Sequence, residues 1–418
     1  MSKKDPSDSP KLSTESYKGV RDFYPEDQAF FNYLTGTMRN VAQKFGYVEY
    51  HASILEPAEL YKAKTSDEIV GEQTYTFVDR GGREVTLRPE MTPTVARMVA
   101  ARRREFGFPL RLFSIPNVFR YERPQRGRLR EHWQLNVDLF GSTSHEAEAE
   151  VISVAHALML AFGATTSDFV IKIGSRNFLN ALTRELKLSG EASKKLLGLI
   201  DRRAKMPNDQ FAREIADLGV AAELLESDRV PDDVAEVLAL LKERGIENAV
   251  FAPEIVRGFD YYSGVVFEVF DNHPMNSRSL FGGGRYDNLT GLFDNEKVPG
   301  VGFGMGDVTI KDFLDVRGLL PEYVPPTKVY IAVASPSALS HASSLAQMLR
   351  AENVSTALDF GEKKLGDQIK AAAKHKIPYL IVVGDDEAAS GSYPVKNLAT
   401  GEETKRSRDE LAQFFLTI

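Results

Sequence analysis

Charged and phenolic side chains are concentrated in residues 256–268, an otherwise apolar segment reading Val-Arg-Gly-Phe-Asp-Tyr-Tyr-Ser-Gly-Val-Val-Phe-Glu. It contains Arg257, two carboxylates, and the phenols of Tyr261 and Tyr262. Apolar runs of this kind favour a buried strand, where a charge is costly unless it is paired or bound to a ligand. The pattern leaves two interpretations open. The segment forms a pocket for a small, polar, charged ligand, or it is an ion pair with two tyrosines in an ordinary core.

Residues 119–130 form a second candidate site, with the sequence Phe-Arg-Tyr-Glu-Arg-Pro-Gln-Arg-Gly-Arg-Leu-Arg. Arg120 and Glu122 follow an apolar run two residues apart, which places both side chains on one face of a strand. A guanidinium can bind a phosphate through two parallel hydrogen bonds, and a carboxylate can accept one from an adenine amino group. Because no P-loop or dinucleotide fingerprint occurs, the segment indicates a different kind of nucleotide site. The alternative is an edge strand followed by a solvated basic turn.

Residues 86–92, with the sequence Thr-Leu-Arg-Pro-Glu-Met-Thr, are a third candidate. Glu90 and Thr92 would supply an acidic group and a hydroxyl after a β-run, which suits an ammonium group. Thr92 could equally cap the start of a helix. The nearby run Arg102–Arg104 is explained as well by a solvated helix end as by a phosphate contact.

Composition narrows the class of protein. A chain of 418 residues exceeds the size at which one core keeps growing, so two or three domains are expected. No apolar stretch approaches the length of a membrane span, and zero cysteines exclude disulfides, Cys-ligated zinc and thiol catalysis. The net charge of −7 does not indicate nucleic-acid binding, although the arginines of 120–130 form a local basic patch. A cytoplasmic enzyme with a disordered tail at residues 1–16 is expected.

Periodicity predicts the elements that must position these groups. An amphipathic helix is expected over about 27–45, and short β-rich runs between about 70 and 141 favour a largely antiparallel sheet. The fold class is therefore an α+β core with a mainly antiparallel sheet flanked by helices, a small helical insertion and a C-terminal α/β domain with a mixed sheet. The expected boundaries are 17–174 and 249–322 for the core, 175–248 for the insertion, 323–326 for a linker, and 327–418 for the last domain.

The three segments together resemble histidyl-tRNA synthetases, a family of class II aminoacyl-tRNA synthetases. Residues 256–268 resemble the family's histidine-recognition sequence, and 119–125 resemble motif 2 in the form Phe-Arg-x-Glu-Arg-Pro-Gln. Residues 300–306, Gly-Val-Gly-Phe-Gly-Met-Gly, resemble the glycine-rich strand of motif 3. The terminal domain resembles the class IIa anticodon-binding module, so the resemblance covers about residues 17–418.

The resemblance implies roles for individual residues. The two arginines that match the family's catalytic pair on the α-phosphate are Arg120 and Arg257. The residues matching the histidine site are Glu90, Met91, Thr92, Arg120, Gln134, Asp138, Arg257, Tyr261 and Tyr262. Those matching the ATP site are Arg120, Glu122, Arg128, His132, Gly304 and Gly306. The residues matching the contact with the tRNA acceptor end are Gln125 and Arg126.

The implied activity is that of a histidine–tRNA ligase, which converts L-histidine and ATP to histidyl-adenylate and pyrophosphate and then acylates tRNA-His. ATP is a substrate accompanied by Mg2+, no permanent cofactor or protein-bound metal is expected, and the protein is expected to be a homodimer that does not contact membranes. The alternative is a non-catalytic regulatory subunit of ATP phosphoribosyltransferase. That paralogue lacks the anticodon domain and loses catalytic arginines, so Arg120, Arg257 and the terminal domain favour the enzyme.

The chain departs from the family pattern at three positions. His132 stands where some members have an aromatic ring that stacks on adenine. Asp138 stands where many members have Glu. Thr309 stands where motif 3 usually has an arginine that holds the γ-phosphate. The tail of ATP would then be held by Arg128 and a neighbour such as Arg285, with Mg2+, or activity would be reduced.

Overall fold

The computed structural model describes residues 12–62, 73–123, 127–203, 206–220, 230–257, 261–276, 278–360 and 363–417. The chain divides into two compact units. The larger comprises residues up to 24 together with 30–320, and the smaller comprises residues 25–29 together with 321–418.

The larger unit alternates short strands with helices. Its described helices are α1 (Pro25–Lys44), α2 (Glu59–Lys62), α3 (Thr92–Ala101), α4 (Glu146–Ala161), α5 (Arg176–Glu185), α6 (Gly190–Arg202), α7 (Asn208–Ala216), α8 (Asp232–Glu243) and α9 (Asp307–Val316). Its described strands are β1 (Val48–Glu49), β2 (Leu55–Pro57), β3 (Tyr75–Val78), β4 (Glu84–Leu87), β5 (Leu110–Ser114), β6 (Asn117–Phe119), β7 (Glu131–Phe140), β8 (Phe169–Ser175), β9 (Ala249–Phe251), β10 (Val265–Asp271), β11 (Ser279–Arg285) and β12 (Gly300–Gly306).

Among the described residues, the main sheet has nine strands in the order β1-β5-β7-β12-β11-β10-β8-β9, with β6 paired to β7 off this path. Of these pairs, the two at the ends of the order, β1 with β5 and β8 with β9, are parallel. The remaining pairs are antiparallel, so the expected α+β fold with a mainly antiparallel sheet is confirmed. A separate antiparallel sheet has the order β2-β4-β3.

Strand β7 shows how the sequence builds both the core and a polar surface. Its residues alternate polar and apolar side chains, and in a strand alternate side chains point to opposite faces. Leu135, Val137 and Leu139 enter the main core, where they pack with residues of the helices on that side, such as Leu158 of α4 and Phe313 of α9. The polar residues between them are therefore on the opposite face of the sheet.

The N-terminal segment, residues 17–23, is fixed against the start of β7. The backbone N–H of Arg130 donates to the carbonyl of Gly19 at 2.7 Å. The Arg130 guanidinium lies over the rings of Tyr17 and Tyr121, at 5.6 and 4.0 Å from their centroids. Phe23 packs edge-on against Trp133, with centroids 5.3 Å apart. The segment is thus held by backbone, cation–π and aromatic contacts.

Helices α5, α6 and α7 lie between β8 and the part of the chain that leads to β9. Their apolar faces form a small core of their own, which includes Leu182, Leu196, Leu199 and Ile215. Ser175 starts α5 by accepting a hydrogen bond from the N–H of Phe178, as a helix N-cap does.

The smaller unit contains a mixed sheet. Its strands are β13 (Val329–Val333), β14 (Thr356–Leu358), β15 (Tyr379–Val383), β16 (Ser392–Asn397) and β17 (Glu403–Ser407), in the order β14-β13-β15-β16-β17. Its helices are α10 (Leu339–Ala351), α11 (Leu365–Lys374), α12 (Asp385–Ser390) and α13 (Arg408–Thr417). Strand β13 pairs in parallel with both neighbours, whereas β16 is antiparallel to β15 and β17. The expected mixed α/β sheet is confirmed.

Across the described residues, no helix is long and apolar enough to cross a membrane.

Candidate active site

A cleft lies on the polar face of the main sheet. It is lined by Glu90, Thr92, Arg120, Gln134, Asn136, Arg257, Tyr261, Tyr262, Gly282, Tyr286, Gly302, Phe303 and Gly304. Most of these residues come from the three segments that the sequence analysis singles out and from residues 300–306. Positions far apart in the chain are therefore brought to one surface.

The floor of the cleft is formed by β7 and β12. Gly302, Gly304 and Gly306 are paired with Asp138, Asn136 and Gln134, respectively. A Cβ atom on Gly304 would lie 2.7 Å from Nε2 of Gln134, so only glycine leaves that amide in place. From His132 to Asp138 the strand rises by roughly 20 Å. The floor is thus long enough for an extended ligand with different chemical groups along its length.

Asp138 forms the buried acidic end of this floor. It is 2% exposed, and its Oδ1 accepts a short hydrogen bond from the hydroxyl of Tyr286. Its Oδ2 has no hydrogen-bond partner among the described residues. Burial raises the pKa of Asp138 to about 7, although the bond from Tyr286 opposes the rise. A ligand N–H group would satisfy the unpartnered oxygen.

Glu90 and the two tyrosines form a wall of the cleft. The Tyr261 hydroxyl donates to Oε2 of Glu90 at 3.0 Å and is also hydrogen-bonded to Thr92. The rings of Tyr261 and Tyr262 are 4.7 Å apart. Burial raises the pKa of both phenols, so they stay protonated and act as hydrogen-bond donors. Thr92 opens α3, but its cap position is Met91 and lacks a side-chain cap bond, so the capping interpretation of Thr92 is wrong.

Arg257 is held rigidly beside this wall. Its Nη1 donates to Oε1 of Glu268 at 3.0 Å, and its guanidinium is hydrogen-bonded to Tyr262. Burial opposes its charge, but Tyr262 and Glu268 outweigh burial and raise the pKa of Arg257. Its backbone has φ of 54°, the left-handed region that a non-glycine residue adopts only where surroundings impose it. The site therefore keeps a permanent cation here.

The described residues near Arg257, 252–257 and 261–264, are not in a strand, although the apolar run predicts one. Strand β9 ends at Phe251, and the next described strand, β10, begins at Val265. Adjacent residues of a regular strand point to opposite faces, so a strand could not present Tyr261 and Tyr262 to one cleft. Because the backbone at these two tyrosines is not a strand, both rings can line the cleft.

Arg120 is the second cation of the cleft. Its Nε donates to the carbonyl of Pro89 at 2.9 Å, which fixes the guanidinium against the segment that bears Glu90. Arg120 and Arg257 therefore reach the same cavity from separate segments of the chain. Two guanidinium groups in one cleft can bind and neutralise a phosphate group.

Other predicted nucleotide ligands lie at the opposite end of the floor from Asp138. Burial, with the charges of Arg120 and Arg21, lowers the pKa of His132 to about 3, so its ring is neutral. A Cβ on Gly306 would lie 3.9 Å from Cδ2 of His132, which places this ring beside the end of β12. Glu122 and Arg128 pair with each other at 3.3 Å. The two side chains would have to separate if each contacts a different part of a nucleotide.

The structure gives Arg285 and Thr309 structural partners. The Arg285 guanidinium donates to the Glu148 carboxylate, to Asp287 and to the carbonyls of Ser142 and Ser144. The idea that Arg285 holds a phosphate is therefore wrong, because its hydrogen-bonding groups face these protein partners and its side chain is 7% exposed. The Thr309 hydroxyl donates to the carbonyl of Leu280 at 2.7 Å.

The predicted site residues thus divide into four groups. Those that line the cleft are Glu90, Thr92, Arg120, Gln134, Arg257, Tyr261, Tyr262 and Gly304. Met91 is fully buried, and Asp138 reaches the cleft through Tyr286. Glu122, Arg128, His132 and Gly306 lie at or beyond the end of the floor strands. Gln125 and Arg126 are outside the described residues.

Among the lining residues with polar side chains, sequence reasoning misses Asn136 and Tyr286. Asn136 has a signal, because it lies between Gln134 and Asp138 at the spacing that shares a strand face. Tyr286 directly follows the glycine-rich strand β11, but nothing local shows that its hydroxyl reaches Asp138. The run Arg102–Arg104 belongs to a surface ion-pair cluster, in which Arg103 contacts Asp294 at 3.5 Å.

Comparison with known proteins gives consistent results along the chain. Residues 19–308 match the family described as histidyl-tRNA synthetase, and residues 328–418 match the anticodon binding domain. A histidine–tRNA ligase of Leptospira biflexa is 43% identical over 425 residues, covering 96% of this chain and 97% of the relative. A histidine–tRNA ligase of Thermoplasma volcanium is 32% identical over 426 residues, covering 96% and 98%.

Solved structures share the fold. A histidyl-tRNA synthetase from Nostoc sp. PCC 7120 has a TM-score of 0.80 at 22% identity, covering 97% of this chain and 100% of that chain. A protein from Bacillus halodurans, described as an ATP phosphoribosyltransferase regulatory subunit/histidyl-tRNA synthetase, has a TM-score of 0.69 at 24% identity, covering 90% and 99%.

Proposed function

The chain belongs to the histidyl-tRNA synthetase family, and from that premise we propose how its residues divide the work of the reaction. The protein is a histidine–tRNA ligase. The observation that carries the residue assignment is the cleft that joins Glu90, Arg120, Gln134, Arg257 and the paired tyrosines. It combines acidic, phenolic and cationic groups, which match the ammonium, imidazole and phosphate groups of the substrates.

Histidine occupies the acidic end of the cleft in this proposal. The carboxylate of Glu90 and the amide of Gln134 bind the α-ammonium group. Unpartnered Oδ2 of Asp138 accepts a hydrogen bond from the imidazole, and Tyr261 and Tyr262 enclose the ring. These contacts would orient the histidine carboxylate toward Arg120 and Arg257.

ATP occupies the other end, with its α-phosphate between Arg120 and Arg257. An oxygen of the histidine carboxylate forms a bond to the α-phosphorus while the bond to pyrophosphate breaks, so no proton transfer is needed. The arginines neutralise the charge of the reacting phosphate and hold the reactants in line. His132 packs against adenine and Glu122 accepts from its amino group. Mg2+ arrives with ATP as part of the substrate.

Transfer to tRNA follows in the same cleft. A ribose hydroxyl at the 3′ end of tRNA-His attacks the adenylate carbonyl and releases AMP. Gln125 and Arg126 are assigned to the acceptor end from the resemblance alone. The unit built on residues 327–418 is assigned to the anticodon, supported by its match to the anticodon binding domain. Residues 17–174 and 249–322 would form the catalytic core, with 175–248 as a helical insertion.

A homodimer in the cytoplasm is also proposed. Support for dimerisation comes from the family and from exposed apolar side chains on the three-stranded sheet, among them Leu55, Phe77 and Val78. Light scattering coupled to size-exclusion chromatography would test it, and a monomer at micromolar concentration would contradict it.

Histidine-dependent ATP–pyrophosphate exchange tests the proposed function. We expect exchange with histidine and none above background with the other amino acids. A well-folded protein that binds histidine but gives no exchange would instead support the regulatory paralogue. The presence of both arginines in the cleft favours the enzyme.

A further inference from the structure

Arg21 lies at the nucleotide end of the cleft floor, although no motif marks it. It belongs to the N-terminal segment that the contacts of Arg130 and Phe23 fix against β7. Its Nη2 donates to Oδ2 of Asp307 at 2.7 Å. Asp307 is the first residue of α9 and directly follows Gly306 at the end of β12. The guanidinium is therefore anchored where the floor strands end.

The anchor itself is rigid. The Asp307 side chain is 5% exposed, and its Oδ1 accepts from the backbone N–H of Trp133 at 3.0 Å. The Arg21 guanidinium also lies 5.1 Å from the ring centroid of Phe23. One carboxylate thus ties together the N-terminal segment, β7 and α9. The position of the Arg21 cation follows from the sheet and does not depend on a surface rotamer.

Arg21 retains hydrogen-bonding capacity. Its side chain is 25% exposed, and its Nε is buried without a hydrogen-bond partner among the described residues. A buried donor without a partner destabilises a protein unless a ligand or water supplies an acceptor. An anionic oxygen bound at this end of the cleft would be such an acceptor.

The charge of Arg21 acts on the nucleotide end of the site. The positive charges of both Arg120 and Arg21 act on His132, so both cations are near the proposed adenine position. Arg285 is occupied by Glu148, Asp287 and two backbone carbonyls, and Arg128 is paired with Glu122. Arg21 is also paired, but its Nε has no hydrogen-bond partner among the described residues, and its anchor lies beside β12 and α9.

We propose that Arg21, held by Asp307, binds the β- or γ-phosphate of ATP and supplies the cation that position 309 lacks. This inference rests on the proposed function. It assigns a substrate-binding role to the N-terminal segment, which is distant in sequence from the three motifs. Asp307 acts as the positioning residue.

Binding of ATP and AMP to Arg21→Ala tests the proposal by calorimetry on the full chain. AMP has the adenine and α-phosphate but lacks the β- and γ-phosphates. We expect ATP affinity to fall about 10- to 100-fold, the range of a lost charge-assisted hydrogen bond. AMP affinity should change by less than about twofold. Equal losses for ATP and AMP, or unchanged ATP affinity, would overturn the proposal.

Variants and controls separate this role from general damage. Arg21→Lys keeps the positive charge but loses the planar, paired donors of the guanidinium. Its ATP affinity should therefore lie between those of the wild type and Arg21→Ala. Asp307→Asn should also weaken ATP binding, because the Arg21 guanidinium loses the carboxylate that holds it. Arg39→Ala removes an arginine from an exposed pair with Glu49 and should leave both affinities unchanged. If Arg21→Ala fails to fold, Arg21→Lys decides the outcome by the same ATP-to-AMP comparison.

Different results would refute the proposed function and the role of Arg21. Absence of histidine-dependent exchange in the wild-type protein would refute the proposed function. Normal wild-type exchange together with an unchanged KM for ATP in Arg21→Ala would refute only the role of Arg21.

Discussion

Asp138 predicts a pH dependence of folding stability that Asp138→Asn should remove. Burial raises the pKa of its carboxyl from 3.8 to about 7. The folded protein therefore keeps this proton at pH values where the unfolded chain has lost it. A group that binds more protons in the folded state makes the free energy of unfolding decrease as pH rises between its two pKa values. The effect spans about pH 4 to pH 7 and amounts to about 4 kcal/mol.

The asparagine variant isolates this contribution because its amide does not titrate. Its Nδ2 group would be buried beside Tyr286, and an unsatisfied donor costs about 1–3 kcal/mol at every pH. That cost shifts the whole curve without changing its slope. The informative quantity is therefore the difference between wild type and variant at each pH. Relative to the variant, the wild type should lose about 3 kcal/mol between pH 5 and pH 8.

Denaturant unfolding followed by Trp133 fluorescence is the suitable assay. Trp133 is the single tryptophan of the chain and lies on the same strand as Asp138, so its signal reports the unit that contains this carboxyl. Tyr286→Phe is a matched companion, because it removes the hydrogen bond that lowers the Asp138 pKa. In Tyr286→Phe the decrease in the free energy of unfolding should therefore extend to higher pH than in the wild type.

Parallel curves for wild type and Asp138→Asn between pH 5 and pH 8 would refute the reasoning. They would mean that the carboxyl is ionised to the same extent in folded and unfolded protein.

Three further predictions concern the cleft and the terminal unit. Arg257→Ala should reduce histidine-dependent exchange about 100- to 1000-fold with unchanged Trp133 fluorescence, and near-normal exchange would remove this arginine from the mechanism. In Gly304→Ala the new Cβ would lie 2.7 Å from the Gln134 amide, a movable side chain, so steady-state exchange should fall about 100-fold while the melting temperature is nearly kept. Gly283→Ala is the contrasting variant, because its Cβ would lie 1.9 Å from a backbone carbonyl oxygen. Denaturant unfolding of this variant should show a free energy of unfolding lower by about 3 kcal/mol or more. Equal stability of the two variants would contradict the steric argument. Deleting residues 326–418 should reduce tRNA charging far more than exchange, and equal losses would make that unit structural.

Local patterns predict much of the fold because they depend on neighbouring residues. The helix expected over about 27–45 is α1, and the β-rich runs expected between about 70 and 141 form antiparallel strands. Strand β17 was not predicted, since Glu403–Ser407 is mostly charged and exposed and carries no apolar alternation. It forms through pairing with β16, which is a tertiary effect.

The site is less predictable because its geometry depends on long-range contacts. Polar residues after apolar runs indicate Glu90 and Arg120 without a structure. The apolar composition of residues 256–268 predicts a strand, because composition does not reveal the left-handed backbone of Arg257. The contacts of Tyr286 with Asp138, and of Arg21 with Asp307, join residues 148 and 286 positions apart. No periodicity within a short window contains that information.

The glycine-rich floor also limits how this site can change during evolution or engineering. A Cβ at Gly282 would lie 2.2 Å from the carbonyl of Phe267, and one at Gly302 would lie 2.5 Å from that of Val137. Backbone atoms cannot move aside as a side chain can, so these glycines cannot be replaced by residues with a Cβ. A change of amino-acid preference must therefore come from the other side chains, such as Asp138 and Tyr286, which set the size and polarity of the acidic end of the cleft. Libraries that vary these side chains and keep the glycines would search the part of sequence space in which the protein still folds.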